Sequence, residues 1–99
     1  MVRLEPIVRL LHEVVPEAQV TGATFYEYTN GHCYLFVHSH LPFFWHYFET
    51  KYPHCKEVEG YSAWTSWGPV FTSKMYLIHW LCRVLKLPDS VTNLLSLTV

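Results

Sequence analysis

The stretch Thr24–Val37, TFYEYTNGHCYLFV, decides the fold. Two runs rich in β-branched and aromatic residues, 24–29 and 32–37, flank the dipeptide Asn30-Gly31. Both residues of that dipeptide tolerate the positive φ that tight hairpin turns demand. A two-residue turn there sets Thr29 against His32, Tyr28 against Cys33, Glu27 against Tyr34, Tyr26 against Leu35 and Phe25 against Phe36. On that register one face of the hairpin carries Thr24, Tyr26, Tyr28, Cys33, Leu35 and Val37. The opposite face carries Phe25, Glu27, Thr29, His32, Tyr34, Phe36 and His38.

On either side of the hairpin the apolar period changes from two to that of a helix. Ile7, Leu10, Leu11 and Val14 make one stripe, so a helix is expected from Pro6 to Val15, with Pro16 stopping it. Leu41, Phe44, Trp45, Phe48 and Tyr52 make a second stripe. It predicts a helix from Leu41 to Tyr52 with Pro42 in its first turn, Ser39 as a candidate cap and Pro53 as its end. Glu57–Trp64 reads as a third strand bent at Gly60, Ser66–Pro69 as a turn, and Val70-Phe71 as a short fourth strand. Lys74–Leu87, capped by Ser73, is a helix apolar almost all round, the pattern of a helix central to a core or covered by a second chain. Asp89 or Ser90 opens a short last helix through Leu95, with a strand as the alternative.

The expected architecture is a small α+β domain of two layers. The hairpin and one or two further strands form a mixed sheet, packed against about three helices. Its 99 residues make a single globular domain, 1–99, with no internal repeat or linker.

Composition narrows the function. Seven Lys+Arg against eight Asp+Glu give a formal charge of −1, which offers no counterion-releasing surface and argues against a nucleic-acid partner. The longest apolar stretch, Met75–Leu85, is broken by His79 and Arg83 and is too short to span a bilayer, and no basic stripe favours a membrane surface. Arg3, Glu5 and Arg9 interrupt any signal-peptide core, and three cysteines are an odd number for a disulfide framework. A cytoplasmic protein is therefore expected.

Six Phe, seven Tyr and four Trp exceed what so short a chain hides, because a domain of this size buries only roughly 60–70% of the surface of its unfolded chain. The surplus points to a partner interface. With the helices over Leu35 and Val37, the face left to solvent holds Phe25, Tyr34 and Phe36, bordered by Glu27, His32 and His38. Those six are the candidate partner-binding residues. The competing arrangement places the C-terminal helix on that face and closes it as a three-layer core.

Other chemistry has weaker support. His38 and His40 point to one side of a strand end, and with His54 and Cys55 they form an alternative, zinc-like metal set, although no CxxC or finger spacing accompanies them. Cys33 and Cys55 each follow a histidine, but neighbours on a strand point to opposite faces, so no nucleophile–base pair is implied. Seven histidines make the chain's charge sensitive to mildly acidic pH. No cofactor motif is present: the four glycines are scattered and none builds a phosphate loop. The function expected is a non-enzymatic protein–protein interaction module, either a homo-oligomer or a small adaptor or inhibitor on a larger protein. The alternative is a metal-binding protein.

Overall fold

The structure, a computed structural model, describes residues 5–96. The order is α1 (Glu5–Val14), β1 (Gly22–Glu27), β2 (Cys33–His38), α2 (Phe44–Lys51), β3 (Tyr61–Thr65), β4 (Gly68–Phe71), α3 (Lys74–Val84) and α4 (Asp89–Ser96). The strands make one sheet in the order β1-β2-β4-β3, and every neighbouring pair is antiparallel rather than mixed. β3 runs parallel to β2 but does not touch it, because the β3–β4 hairpin folds back and inserts β4 between them. With helices packed on the sheet, this is a small α+β domain.

The first hairpin forms where the sequence places it, with a different turn. Tyr28 N donates to His32 O at 2.7 Å, and Gly31 N donates to Tyr28 O at 3.0 Å. Gly31 has φ 88°, whereas Asn30 is not among the positive-φ residues. This is a three-residue loop, a turn of ordinary hand followed by a left-handed glycine bulge, instead of a two-residue turn with both residues left-handed. The Asn30 side-chain oxygen accepts from His32 N at 3.1 Å and holds the loop in that form. The extra residue moves the register by one, to Phe25↔Leu35, Tyr26↔Tyr34 and Glu27↔Cys33. A one-residue slip turns a strand over. β2 therefore keeps its expected orientation, whereas Phe25 and Glu27 of β1 change sides with Tyr26 and Tyr28.

Other boundaries also differ from expectation: β4 starts at Gly68, so the turn expected over Ser66–Pro69 narrows to Ser66-Trp67. α2 starts at Phe44 and not Leu41, since Pro42 pushes Leu41 out of the helical region and Phe43 sits left-handed at φ 56°. Ser39 makes no cap; its hydroxyl donates to Leu41 O at 2.8 Å. β3 starts at Tyr61 and not Glu57, because Cys55–Glu57 winds into a 3-10 turn and Gly60 reverses the backbone at φ 135°. α3 ends at Val84, with Leu85 still right-handed and the chain turning left-handed one residue later. Lys86 takes φ 56°, its N–H bonds Arg83 O at 3.2 Å, and Leu87 N–H bonds Cys82 O at 2.9 Å. Ser73 does cap α3, accepting from Tyr76 N at 3.4 Å, and the last segment is helix.

Trp80 is the centre of the core. It is fully buried in α3, with ring contacts to Trp45, Phe48, Trp64 and Phe71 between 5.5 and 6.1 Å. Its indole N–H is satisfied by Cys55 O at 3.1 Å. A bulge at Ser62 lets Tyr61 and Trp64 both lean on this ring. Trp45 of α2 works as a wedge. β2 and β4 pair only at Cys33↔Phe71, and beyond that point the Trp45 indole donates to Leu35 O at 2.8 Å. The indole thus satisfies a carbonyl that a neighbouring strand would otherwise take. It lies against Gly68, whose φ of 103° and missing Cβ both permit that approach.

Candidate protein-docking face

The corrected register decides which side chains face away from the helices. On β1 and β2 these are Thr24, Tyr26, Tyr34, Phe36 and His38, with Tyr28 and His32 continuing the pattern at the loop. Cys33, Leu35 and Val37 point the other way and are buried in the core. No Asp, Glu, Lys or Arg occupies an outward position of either strand.

The outward rings pack on one another. Tyr26 and Tyr34, opposite each other across the ladder, stack at 5.1 Å with 14° between their planes. Tyr28 leans on Tyr34 at 5.7 Å, Phe36 meets Tyr26 edge-on at 6.5 Å, and His38 packs on Phe36 at 5.1 Å. Trp67, from the tight β3–β4 turn, extends the cluster by approaching Phe36 at 6.3 Å. Such pairs prefer offset-stacked and edge-to-face geometry, and each adds about 0.5–1.5 kcal/mol beyond its area burial. The face is therefore a set of mutually braced rings. At its rim Thr24 Oγ1 bonds His38 Nε2 at 2.8 Å, which orients the imidazole along the strand end. Burial among its neighbours raises the Tyr34 phenol above its ordinary range, and Tyr28 and Tyr26 add to the effect, so it remains a hydroxyl at neutral pH.

This braced cluster is open to water. Tyr26 is 45% exposed, Tyr28 50% and Trp67 60%. Beside it a groove of about 350 Å³ runs between Phe36, His38, Pro42, Phe43 and Trp67. Phe43 stands on its wall at 76% exposure, left-handed and N-terminal to α2. α4 does not close the face: it packs on α3 and sends Leu95 into the core.

Of the six residues predicted for the partner surface, Tyr34, Phe36, His32 and His38 lie on this face. Phe25 and Glu27 do not. Phe25 is half-buried on the helix side under the Lys74 ammonium, 5.1 Å from its ring centre. Glu27, on the same side, helps raise the Cys33 thiol. Tyr26 and Tyr28 take their places, Trp67 joins from a segment that the sequence predicts as a turn, and Phe43, predicted within a helix, flanks the groove beside it. His32 is partly covered, with its Nδ1 shielded and unpaired.

The alternative metal set is not assembled. His38 is held by Thr24, His40 is exposed, His54 pairs with Glu57 at 3.1 Å and Cys55 is buried below Trp80. Among the described residues no group of three or more His, Cys, Asp or Glu is placed to hold a metal ion. All three cysteines are free and buried. Burial, followed by the nearby Glu27 carboxylate, pushes Cys33 up to about 11, and burial likewise raises Cys55. A thiol held protonated is a weak nucleophile.

No helix among the described residues is long and apolar enough to cross a membrane. Comparison of the chain with protein-family models, characterised proteins and solved structures gives no match.

Proposed function

We propose that this protein is a non-enzymatic protein-binding module that docks a protein partner on the outer aromatic face of its sheet. The observation that carries this reading is the mutually braced ladder of Tyr26, Tyr28, Tyr34, Phe36 and Trp67, of which Tyr26, Tyr28 and Trp67 are exposed. Taking about 200 Å² for each ring, the visible parts of Tyr26, Tyr28, Trp67 and Phe43 come to roughly 450 Å². That matches the largest apolar patch of an ordinary monomer, about 300–600 Å², and such patches are often functional. The composition suits a protein interface, with Tyr, Trp and Phe at the centre, a His and Thr rim, and fixed charge excluded.

Ring orientation argues for a protein over a sugar or an unstacked base. Those ligands need a free ring face to lie on. Here Tyr26 and Tyr34 stack on each other, and Tyr28 leans on Tyr34, so these rings are already engaged with one another.

Affinity capture comparing wild type with Tyr34→Ala and Phe36→Ala tests the reading. Both variants should keep a cooperative thermal transition and lose the proteins that wild type retains. Identical captured sets from folded variants and wild type would reject it.

A further inference from the structure

We infer that the partner of the outer aromatic face is a second copy of this chain, related by a two-fold axis, with the two sheets face to face and the helices of both copies outside. The inference rests on the docking reading above and names its occupant. Three features favour a copy over a different protein.

The first is charge. A two-fold interface sets a patch against itself, so any fixed charge near the axis meets its own kind. The outward positions of β1 and β2 hold none, and the ion pairs Glu17–Lys51 and Glu49–Lys56 lie off this face. A surface shaped for a charged partner would carry the opposite charge; this one suits an uncharged face such as its own. Homodimer interfaces are also the more apolar class.

Shape is the second. An isologous contact needs protrusion and recess on the same molecule. Phe43 and Trp67 stand out at 76% and 60% exposure, and the groove of about 350 Å³ runs between them and Phe36. Each copy thus presents a protruding ring, Trp67, beside a recess that opens where the outer face meets the segment before α2.

The third is size. A standard interface covers about 800 Å² per partner. The exposed parts of Tyr26, Tyr28 and Trp67, with Phe43 on the groove wall, supply roughly 450 Å², and half-buried Tyr34 and Phe36 with the other groove walls extend the face toward that figure. Two sheets pack about 10 Å apart with interleaved side chains, a spacing that upright rings fill. The product is a four-layer arrangement, helix–sheet–sheet–helix.

Sedimentation equilibrium at neutral pH, from about 1 to 300 μM, tests this on wild type, Tyr26→Lys, Trp67→Ser and Leu94→Ser. The first substitution lies in the middle of the ladder and the second at its β3–β4 end, and both side chains are exposed outside the core, so folding is retained. Leu94, 57% exposed on α4, is the control away from the face. Wild type and Leu94→Ser should approach twice the subunit mass. Each face variant enters the interface twice, so a tenfold cost per site becomes about a hundredfold weaker association. A wild type at the single-subunit mass throughout overturns the inference, as does a dimer unmoved by both face variants. If that single-subunit protein still loses its captured proteins on Tyr34→Ala, the docking reading survives and only the second copy is excluded.

Discussion

Phe43 and Phe44 are adjacent phenylalanines with opposite expected costs, and replacing each in turn tests where the core ends. Phe44 is 4% exposed and packs on Trp45 and Phe48 at 5.2 and 6.0 Å. Phe44→Ala removes a core ring and should cost about 3–5 kcal/mol. Phe43 is 76% exposed at φ 56°. Its covered quarter, about 50 Å², contributes about 1.2 kcal/mol of burial. Against that, a left-handed conformation costs a side-chain-bearing residue about 1–2 kcal/mol, which glycine escapes. Glycine in turn adds about 0.5–1 kcal/mol of unfolded-state entropy. The balance puts Phe43→Gly within about 1 kcal/mol of wild type. Urea unfolding monitored by tryptophan fluorescence, with m-values compared, measures both variants. The association proposed for the outer face adds a concentration-dependent term, so both series belong at a dilution where the protein is a monomer. A loss above about 2 kcal/mol for Phe43→Gly would place that ring in the core and remove it from the docking face.

Three further outcomes follow from the geometry. Gly68→Ala adds a methyl where the Trp45 indole lies and strains a backbone at φ 103°; calorimetry should show a loss of about 2–5 kcal/mol, and a loss under 1 would mean that the wedge is not seated as described. Lys86→Gly relieves the left-handed end of α3 and should raise stability by about 0.5–1 kcal/mol in thermal unfolding, with a decrease counting against the cap. The Cys33 thiol is pushed up to about 11 in the folded protein, so the folded state holds its proton more tightly than the unfolded chain. Its contribution, about 2–3 kcal/mol, is full below the ordinary thiol value of 9.0 and is lost as pH rises through the folded value. The Cys33→Ala variant should show a shallower fall in stability between about pH 9 and 11 than wild type, and parallel curves would contradict the assignment.

The sequence displays much of this fold because local chemistry and tertiary packing agree over most of it. The α1 stripe ends at Pro16, Ser73 caps α3, and Asn30-Gly31 marks the hairpin, since each of these acts through its immediate neighbours. The hairpin register was not legible. Asn-Gly suits both a two-residue turn and a three-residue loop closed by a left-handed glycine, and the choice follows from burying Phe25 on the helix side. That single step exchanged Phe25 and Glu27 for Tyr26 and Tyr28 on the outer face. Trp67 and Phe43 were missed because exposure in a loop leaves no periodic trace. The pairing of Trp45 with Gly68 spans two elements distant in sequence, and only the splayed β2–β4 contact shows why a glycine stands there. The histidine cluster around His38 and His40 suggested a metal because sequence proximity was its only evidence. The strand end directs His38 to Thr24 instead.

The central claim is that the helices leave one side of the sheet, and its rings, in contact with water. Hydroxyl-radical footprinting at sub-micromolar concentration, where association is weakest, reads this ring by ring. Tyr26, Tyr28, Phe43 and Trp67 should oxidise readily, while Trp45, Phe48, Phe71 and Trp80 stay protected. Tyr26, Tyr28 and Trp67 as protected as Trp80 under those conditions would contradict the account.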